Sequence, residues 1–225
     1  YRARSHEVIP AADCRAQAPQ ARAAARAVEG YLAEYHVPAY DETTGEGLLR
    51  HIYVRTSRAG RALVCLVVNG GALPHEAELV ERLREACPDC VGIVLNENTR
   101  ATNVVLGDCY RTLWGEDALE DTLCGHTFRL AIPAFYQVNV PQAERLYAKA
   151  AELAGLTGAE TVLELYCGAG TITLTLAERA KRVIGAEIVP EAVENARENA
   201  RRNGVDNAEF FCGDAAGVAE KLASE

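Results

Sequence analysis

Apolar positions along the chain change period several times, and each change predicts an element. Residues 17–36 place Val28, Tyr31, Leu32 and Tyr35 at helical spacing, and Pro38 closes that helix. Leu48 to Thr56 and Arg61 to Val68 flank Ser57-Arg-Ala-Gly60, the signature of a hairpin. Glu76 to Ala86 reads as a helix with Leu79, Val80 and Leu83 on one face, followed by a buried strand at Val91–Leu95. Short strands are expected near Asn103–Leu106, Tyr110–Trp114 and Thr127–Ile132. These elements predict a mixed α+β domain over residues 1–135 with mostly antiparallel strands.

Beyond residue 135 the pattern becomes regular. A helix from Pro141 to Leu153 opens with proline at a favoured first position. Then follow strand 161–166, helix 171–179, strand 182–187, helix 190–203, strand 208–213 and helix 215–223. Pro190 opens one of these helices and Gly204 closes it. Strict alternation of strand and helix predicts a parallel, doubly wound sheet over residues 136–225. Three strands are few for such a sheet, so the domain is expected to stop before its far half. The sequence begins at Tyr1 and contains no Met, which reads as a piece of a longer protein.

About half of the 225 residues are apolar and 24% are charged, a globular composition. The longest uninterrupted apolar run, Ala62 to Val68, is too short for a transmembrane helix. The polar, basic start does not resemble a signal peptide, and eight cysteines show no small-scaffold spacing; both favour a cytoplasmic protein with no membrane partner. The net charge of −9 argues against reading nucleic-acid binding from charge alone. No feature points to an obligate protein partner.

Residues 161–171, Thr-Val-Leu-Glu-Leu-Tyr-Cys-Gly-Ala-Gly-Thr, carry the main chemical signal. A strand feeds a glycine turn that opens a helix, an arrangement in which a nucleotide-like ligand meets bare backbone. The next strand ends in Glu187, 19 residues after Gly168, where an acid can accept hydrogen bonds from ribose hydroxyls. Asp214 ends the third strand. A dinucleotide fingerprint requires a third glycine, but Thr173 stands there, and no lysine follows the glycines as in a phosphate-binding loop. Glu164 would repel a pyrophosphate and suits a sulfonium and an amino group. S-adenosylmethionine fits these residues better than a nicotinamide dinucleotide does.

Phe135-Tyr-Gln-Val-Asn139 lies at the junction of the two parts. Its aromatic pair and amides can stack a base and bond its edge; the alternative is a hinge with Phe135 in the core. Together with Leu163-Glu-Leu-Tyr-Cys-Gly-Ala-Gly170 and Gly185-Ala-Glu-Ile188, followed by Ala192, Ala196, Asn199 and Asn203, this segment resembles the RNA (uracil-5-)-methyltransferase family. Arg4-Ser-His6, Cys14, Tyr40-Asp-Glu42, Gly47-Leu-Leu-Arg-His51, Val54-Arg55 and Asn96-Glu-Asn98 agree in order. The iron–sulfur members that modify 23S ribosomal RNA look most similar.

The resemblance implies a Rossmann-like S-adenosylmethionine methyltransferase sheet. It implies Gln137, Tyr166, Gly168, Gly170, Thr171, Glu187 and Asp214 at the cofactor, with Phe135 and Asn139 at the RNA. Relatives often carry Asp where Glu164 stands. Cys14 resembles the last of four cysteines holding a [4Fe–4S] cluster; a cluster needs about four thiolates, so this chain is expected to hold none. The implied chemistry adds a cysteine thiolate to uracil C6, lets C5 take the methyl group, and removes the C5 proton with a base. That nucleophile and base are expected beyond Glu225, leaving no catalytic residue here and an inactive piece. Cys167 is read as part of the cofactor turn, Cys212 as core, and Cys87-Pro-Asp-Cys90 as structural. His6 and His51 lie beside arginines and can meet RNA phosphates, or serve as solvated surface. The sequence also admits two other readings, a non-catalytic RNA-binding module and a nicotinamide-dependent oxidoreductase.

Overall fold

A computed structural model describes residues 2–5, 9 and 14–223; His6 lies outside the described residues. The chain divides into two compact units, Tyr1–Leu119 and Glu120–Glu225.

The first unit is a four-stranded sheet in the order β1-β2-β3-β4, comprising β1 (Leu49–Thr56), β2 (Ala62–Val68), β3 (Cys90–Glu97) and β4 (Cys109–Gly115). The outer pairs are antiparallel, but β2 and β3 run parallel because α2 (Glu76–Ala86) carries the chain back between them. Helix α1 (Pro19–Glu34) buries Ala24, Ala27, Val28 and Tyr31 at helical spacing. That stripe meets Val64, Leu66, Val68, Ile93 and Leu95 from one sheet face and Leu79 and Leu83 from α2. All seven residues of β2 are buried, so its sequence is a continuous apolar run.

Residues 103–106 form no strand, which corrects the expectation. The carbonyls of Val104 and Val105 are taken by a side-chain amide instead of a ladder. Asn98 Nδ2 donates to the carbonyls of Val104 at 2.7 Å and Val105 at 3.1 Å. Asn96 donates to the carbonyls of Gly107 and Cys109 and accepts from Gly107 N–H at 2.7 Å. These two asparagines hold the loop as local backbone mimics.

The second unit contains most of the β5 (Ala118–Leu123) and β6 (His126–Ala131) hairpin, then α3 (Val140–Ala154) and a three-stranded parallel sheet. The sheet order is β7 (Thr161–Leu165), β8 (Arg182–Glu187), β9 (Ala208–Cys212), with α4 (Thr171–Ala177), α5 (Pro190–Arg202) and α6 (Ala215–Ala223) between and after the strands. The division between units falls earlier than the 135/136 boundary read from sequence. Leu123, Phe128 and Leu130 of the hairpin join Val140, Tyr147, Leu174, Val193, Ala196 and Phe210 in one core cluster.

Helix α5 and its C-cap residue Asn203 support that hairpin through asparagines spaced one turn apart. Asn195 donates to Arg129 O at 2.8 Å, and Asn199 accepts from Arg129 N–H at 2.8 Å. Asn203 accepts from Thr127 N–H and donates to Thr127 O, both at 2.8 Å. Residues i and i+4 share a helix face, so the three amides bond the β6 backbone as a neighbouring strand would. Asn199 is fully buried and also donates to Ala169 O in the glycine turn at 3.2 Å. Asn199→Ala strands a donor and an acceptor, at about 1–3 kcal/mol each. It is expected to cost about 3 kcal/mol, read as a lower urea midpoint; an unchanged midpoint would contradict this role.

Candidate functional site

The C-terminal ends of parallel strands are where open α/β sheets present their ligand crevices. At that end β7 leads into Tyr166, Cys167, Gly168, Ala169 and Gly170, which precede α4. The turn has a left-handed backbone at three positions: Tyr166 at φ +64°, Gly168 at +52° and Gly170 at +82°. Tyr166 is the informative one, since a bulky residue rarely adopts this conformation and such strain clusters at functional sites. The residue is 76% exposed.

The turn is seated on its neighbours by close packing. Cys167 N–H donates to Ala186 O of β8 at 3.0 Å. A Cβ on Gly185 would come within 2.8 Å of Cys167 Sγ and 2.9 Å of the Phe210 ring, and one on Gly170 within 3.1 Å of that ring. Only bare backbone at these positions lets the turn lie this low on the sheet.

Glu187, at the end of β8, points into the glycine turn. Its Oε2 accepts from Gly168 N–H and its Oε1 from Val189 N–H, each at 3.0 Å. The carboxylate is half-buried, and its oxygens have lone-pair capacity for further donors such as vicinal hydroxyls. Thr171 Oγ1 lies 3.3 Å from the Tyr147 hydroxyl of α3.

Glu164 behaves differently. Burial raises its carboxyl to about 7, opposed by the hydrogen bond that the Thr173 hydroxyl donates to Oε2. Thr173 is fully buried on α4. No cation pairs with Glu164 among the described residues. Burial and the Glu164 and Glu187 carboxylates push the neighbouring Cys167 thiol up to about 12, so it is no nucleophile.

Asp214 stands at the same end of the sheet, after β9. It is exposed, and its Oδ1 accepts from Gly217 N–H at 2.9 Å, capping α6. Phe135, Gln137 and Asn139 lie between β6 and α3. Phe135 is 73% exposed, which removes the core alternative for it. Gln137 is half-buried. Asn139 caps α3 by accepting from Gln142 N–H at 3.3 Å. No side-chain hydrogen bond joins these three to the glycine turn among the described residues.

Other candidates fall away from the turn. Cys212 is exposed at the end of β9, not in the core as expected, because the strand stops there. Cys87 and Cys90 are buried and donate to Gln20 O and Gly92 O. His51 is half-buried, and burial and the Arg50 charge lower its pKa. Cys14 sits half-buried beside a turn. Among the described residues no group of three or more His, Cys, Asp and Glu side chains is placed to hold a metal ion, so those present do not fit a [4Fe–4S] cluster. No described helix is long and apolar enough to cross a membrane.

Sequence reasoning missed the roles of Thr173, noticed only as a missing glycine, and of Asn199, quoted only within a motif. The available signal was an acid in the strand followed by a hydroxyl on the inward side of the next helix.

Residues 156–225 match a methyltransferase domain family. The chain is 41% identical over 223 residues to an uncharacterized RNA methyltransferase of Clostridium acetobutylicum, covering 99% of this chain and 48% of that protein. It is 43% identical over 216 residues to another from Halalkalibacterium halodurans, covering 96% and 47%. The chain thus spans about half the length of the curated relatives it matches. Among solved structures it is similar to the Pyrococcus abyssi tRNA (uracil-54, C5)-methyltransferase in complex with S-adenosyl-L-homocysteine. That match has a TM-score of 0.78 at 26% identity, over 92% of this chain and 50% of the other. Seated on a parallel sheet and closed by Glu187, the glycine turn belongs to a Rossmann-like methyltransferase fold, preceded by a mixed α/β unit.

Proposed function

We propose that this chain supplies the methyl-donor pocket of an S-adenosylmethionine-dependent RNA methyltransferase acting at uracil C5. The observation that carries the reading is Glu187 turned onto Gly168 N–H. An acid held against bare backbone at this end of a parallel sheet suits a ligand that lays a ribose beside an amino-acid moiety.

The donor set suits that ligand. Glu187 accepts from the ribose hydroxyls, and the exposed Tyr166 ring offers a flat face. Gly168, Gly170 and Thr171 border the methionine moiety, and Asp214 and Gln137 complete the cofactor's surroundings. Glu164 is the counter-charge for the ammonium. When bound, S-adenosylmethionine supplies an electrophilic methyl group on a sulfonium. The acidic Glu164 beside the turn would repel a pyrophosphate, and Thr173 stands where a dinucleotide fingerprint needs glycine, which disfavours the nicotinamide reading.

The first unit faces the RNA in this proposal, and Phe135 of the second unit, exposed beside Asn139, stacks a base. Similarity to the Pyrococcus abyssi tRNA (uracil-54, C5)-methyltransferase supports uracil C5. The resemblance at Cys14 favours 23S ribosomal RNA over transfer RNA. Cys167 is excluded as the thiolate that adds to C6 by its burial.

Two measurements test this. Calorimetry is expected to show S-adenosylhomocysteine binding and no NADH binding; the reverse ends the methyl-donor reading. The protein carrying this chain is expected to release tritium from 23S transcripts labelled at uridine C5. Release from transfer RNA transcripts alone would reassign the target, and release from neither would remove uracil C5.

A further inference from the structure

We propose that Thr173 is the positioning residue of the pocket: its hydroxyl fixes Glu164 so that the ligand's ammonium replaces a proton on that carboxyl. The inference rests on the methyl-donor reading and deepens it.

The geometry isolates the pair. Thr173 is fully buried on α4 and reaches back across the glycine turn to Glu164 Oε2 on β7. Glu164 is half-buried, and a carboxylate held largely out of water without a cation is unfavourable unless it is protonated or gains a counter-charge. The groups near it supply none. Tyr147 from α3 and Cys167 from the turn both sense the Glu164 charge, and burial keeps both neutral near pH 7. Glu187 of β8, which shares Cys167 as a neighbour, is turned to the amides of Gly168 and Val189. On β8, the residue paired with Glu164 is Gly185, which brings no charge.

Glu164 is therefore the position where a proton and a cationic ligand compete. With ligand absent, the carboxyl holds its proton up to about pH 7. On binding, the O–H bond breaks, the proton leaves to solvent, and the ammonium takes its place as counter-ion. The Thr173 hydroxyl is a donor that favours the ionised form. Without it, deprotonation needs a higher pH. Nothing in this exchange requires Thr173 to touch the ligand.

The linkage has a defined reading. Below the Glu164 midpoint, S-adenosylhomocysteine affinity is expected to rise about tenfold per pH unit and then level off above it. Calorimetry in buffers of different ionisation enthalpy should count about one proton released per ligand below the midpoint and none well above it. Thr173→Val moves the midpoint upward, Thr173→Ser restores it, and Glu164→Gln abolishes the pH dependence. A carbon-detected NMR titration of the Glu164 carboxyl follows the same midpoint without ligand. Equal NMR midpoints in wild type and Thr173→Val overturn the proposal whatever binds. So does an affinity loss in Thr173→Val that is the same at every pH, which would mark a merely structural role. If the NMR midpoints shift as expected but S-adenosylhomocysteine does not bind, the methyl-donor reading fails and the exchange falls with it.

Discussion

Glu187→Ala is expected to weaken S-adenosylhomocysteine binding about 100-fold. Hydrogen bonds to a charged acceptor contribute about 1.5–3 kcal/mol each, and about 3 kcal/mol in total corresponds to that factor. The carboxylate has two jobs. It offers acceptors to the ribose hydroxyls, and it braces the turn through Gly168 N–H and Val189 N–H. Alanine removes both. Glu187→Gln keeps the shape and one acceptor oxygen, so its loss is expected to be intermediate. The group is half-buried, and water can replace it at both amides, so stability should change little. Calorimetry on the three proteins separates these cases. An unchanged affinity in Glu187→Ala would remove the ribose site and with it the main support for a methyl-donor pocket.

Glu164→Gln is expected to stabilise the protein at alkaline pH while it weakens the cationic ligand. The folded carboxyl titrates at about 7, against an ordinary value of 4.5. Between those values the native state keeps a proton that the unfolded chain has already released. Stability therefore falls as pH rises through this window, and the full penalty stands above it. The interval corresponds to about 3 kcal/mol. Glutamine accepts the Thr173 hydrogen bond without charge, so the variant should exceed wild type by about that amount at about pH 8. The two should be equally stable near pH 4. Thermal unfolding across this range checks the sign. A variant less stable than wild type at high pH would show that Glu164 is ionised and well satisfied in the folded state. The same substitution removes the counter-charge for the ammonium, so ligand affinity at high pH is expected to drop as stability rises. Such opposition between stability and binding is characteristic of a group kept for function.

Helices and parallel strands were legible where one physical signal dominated. The helix at 76–86 follows its Leu79, Val80 and Leu83 stripe, and the strand at 182–187 is an apolar run closed by an acid. The elements that misled the reading are those where polar side chains are buried. Strand β5 escaped notice because Asp121 occupies a buried position in an otherwise alternating pattern. Residues 103–106 look like a strand, yet Asn96 and Asn98 take up nearby carbonyls and hold them as a loop. In the site, Glu187 and the glycines were visible by spacing. Thr173 was not, because what it bonds lies nine positions back and across a turn.

By itself the sequence determined the alternation of strands and helices, the glycine turn and the acid that follows it. Periodicity and backbone permissiveness are local properties, written within a few residues. Only the tertiary structure decided that the Glu187 carboxylate faces Gly168 N–H, that Thr173 holds Glu164, and that two asparagines of α5 and the one at its C-cap stand in for a strand beside β6. Each of these depends on which side chains meet after the chain has closed on itself. Their energies come from burial, which removes competing water and makes one partner matter.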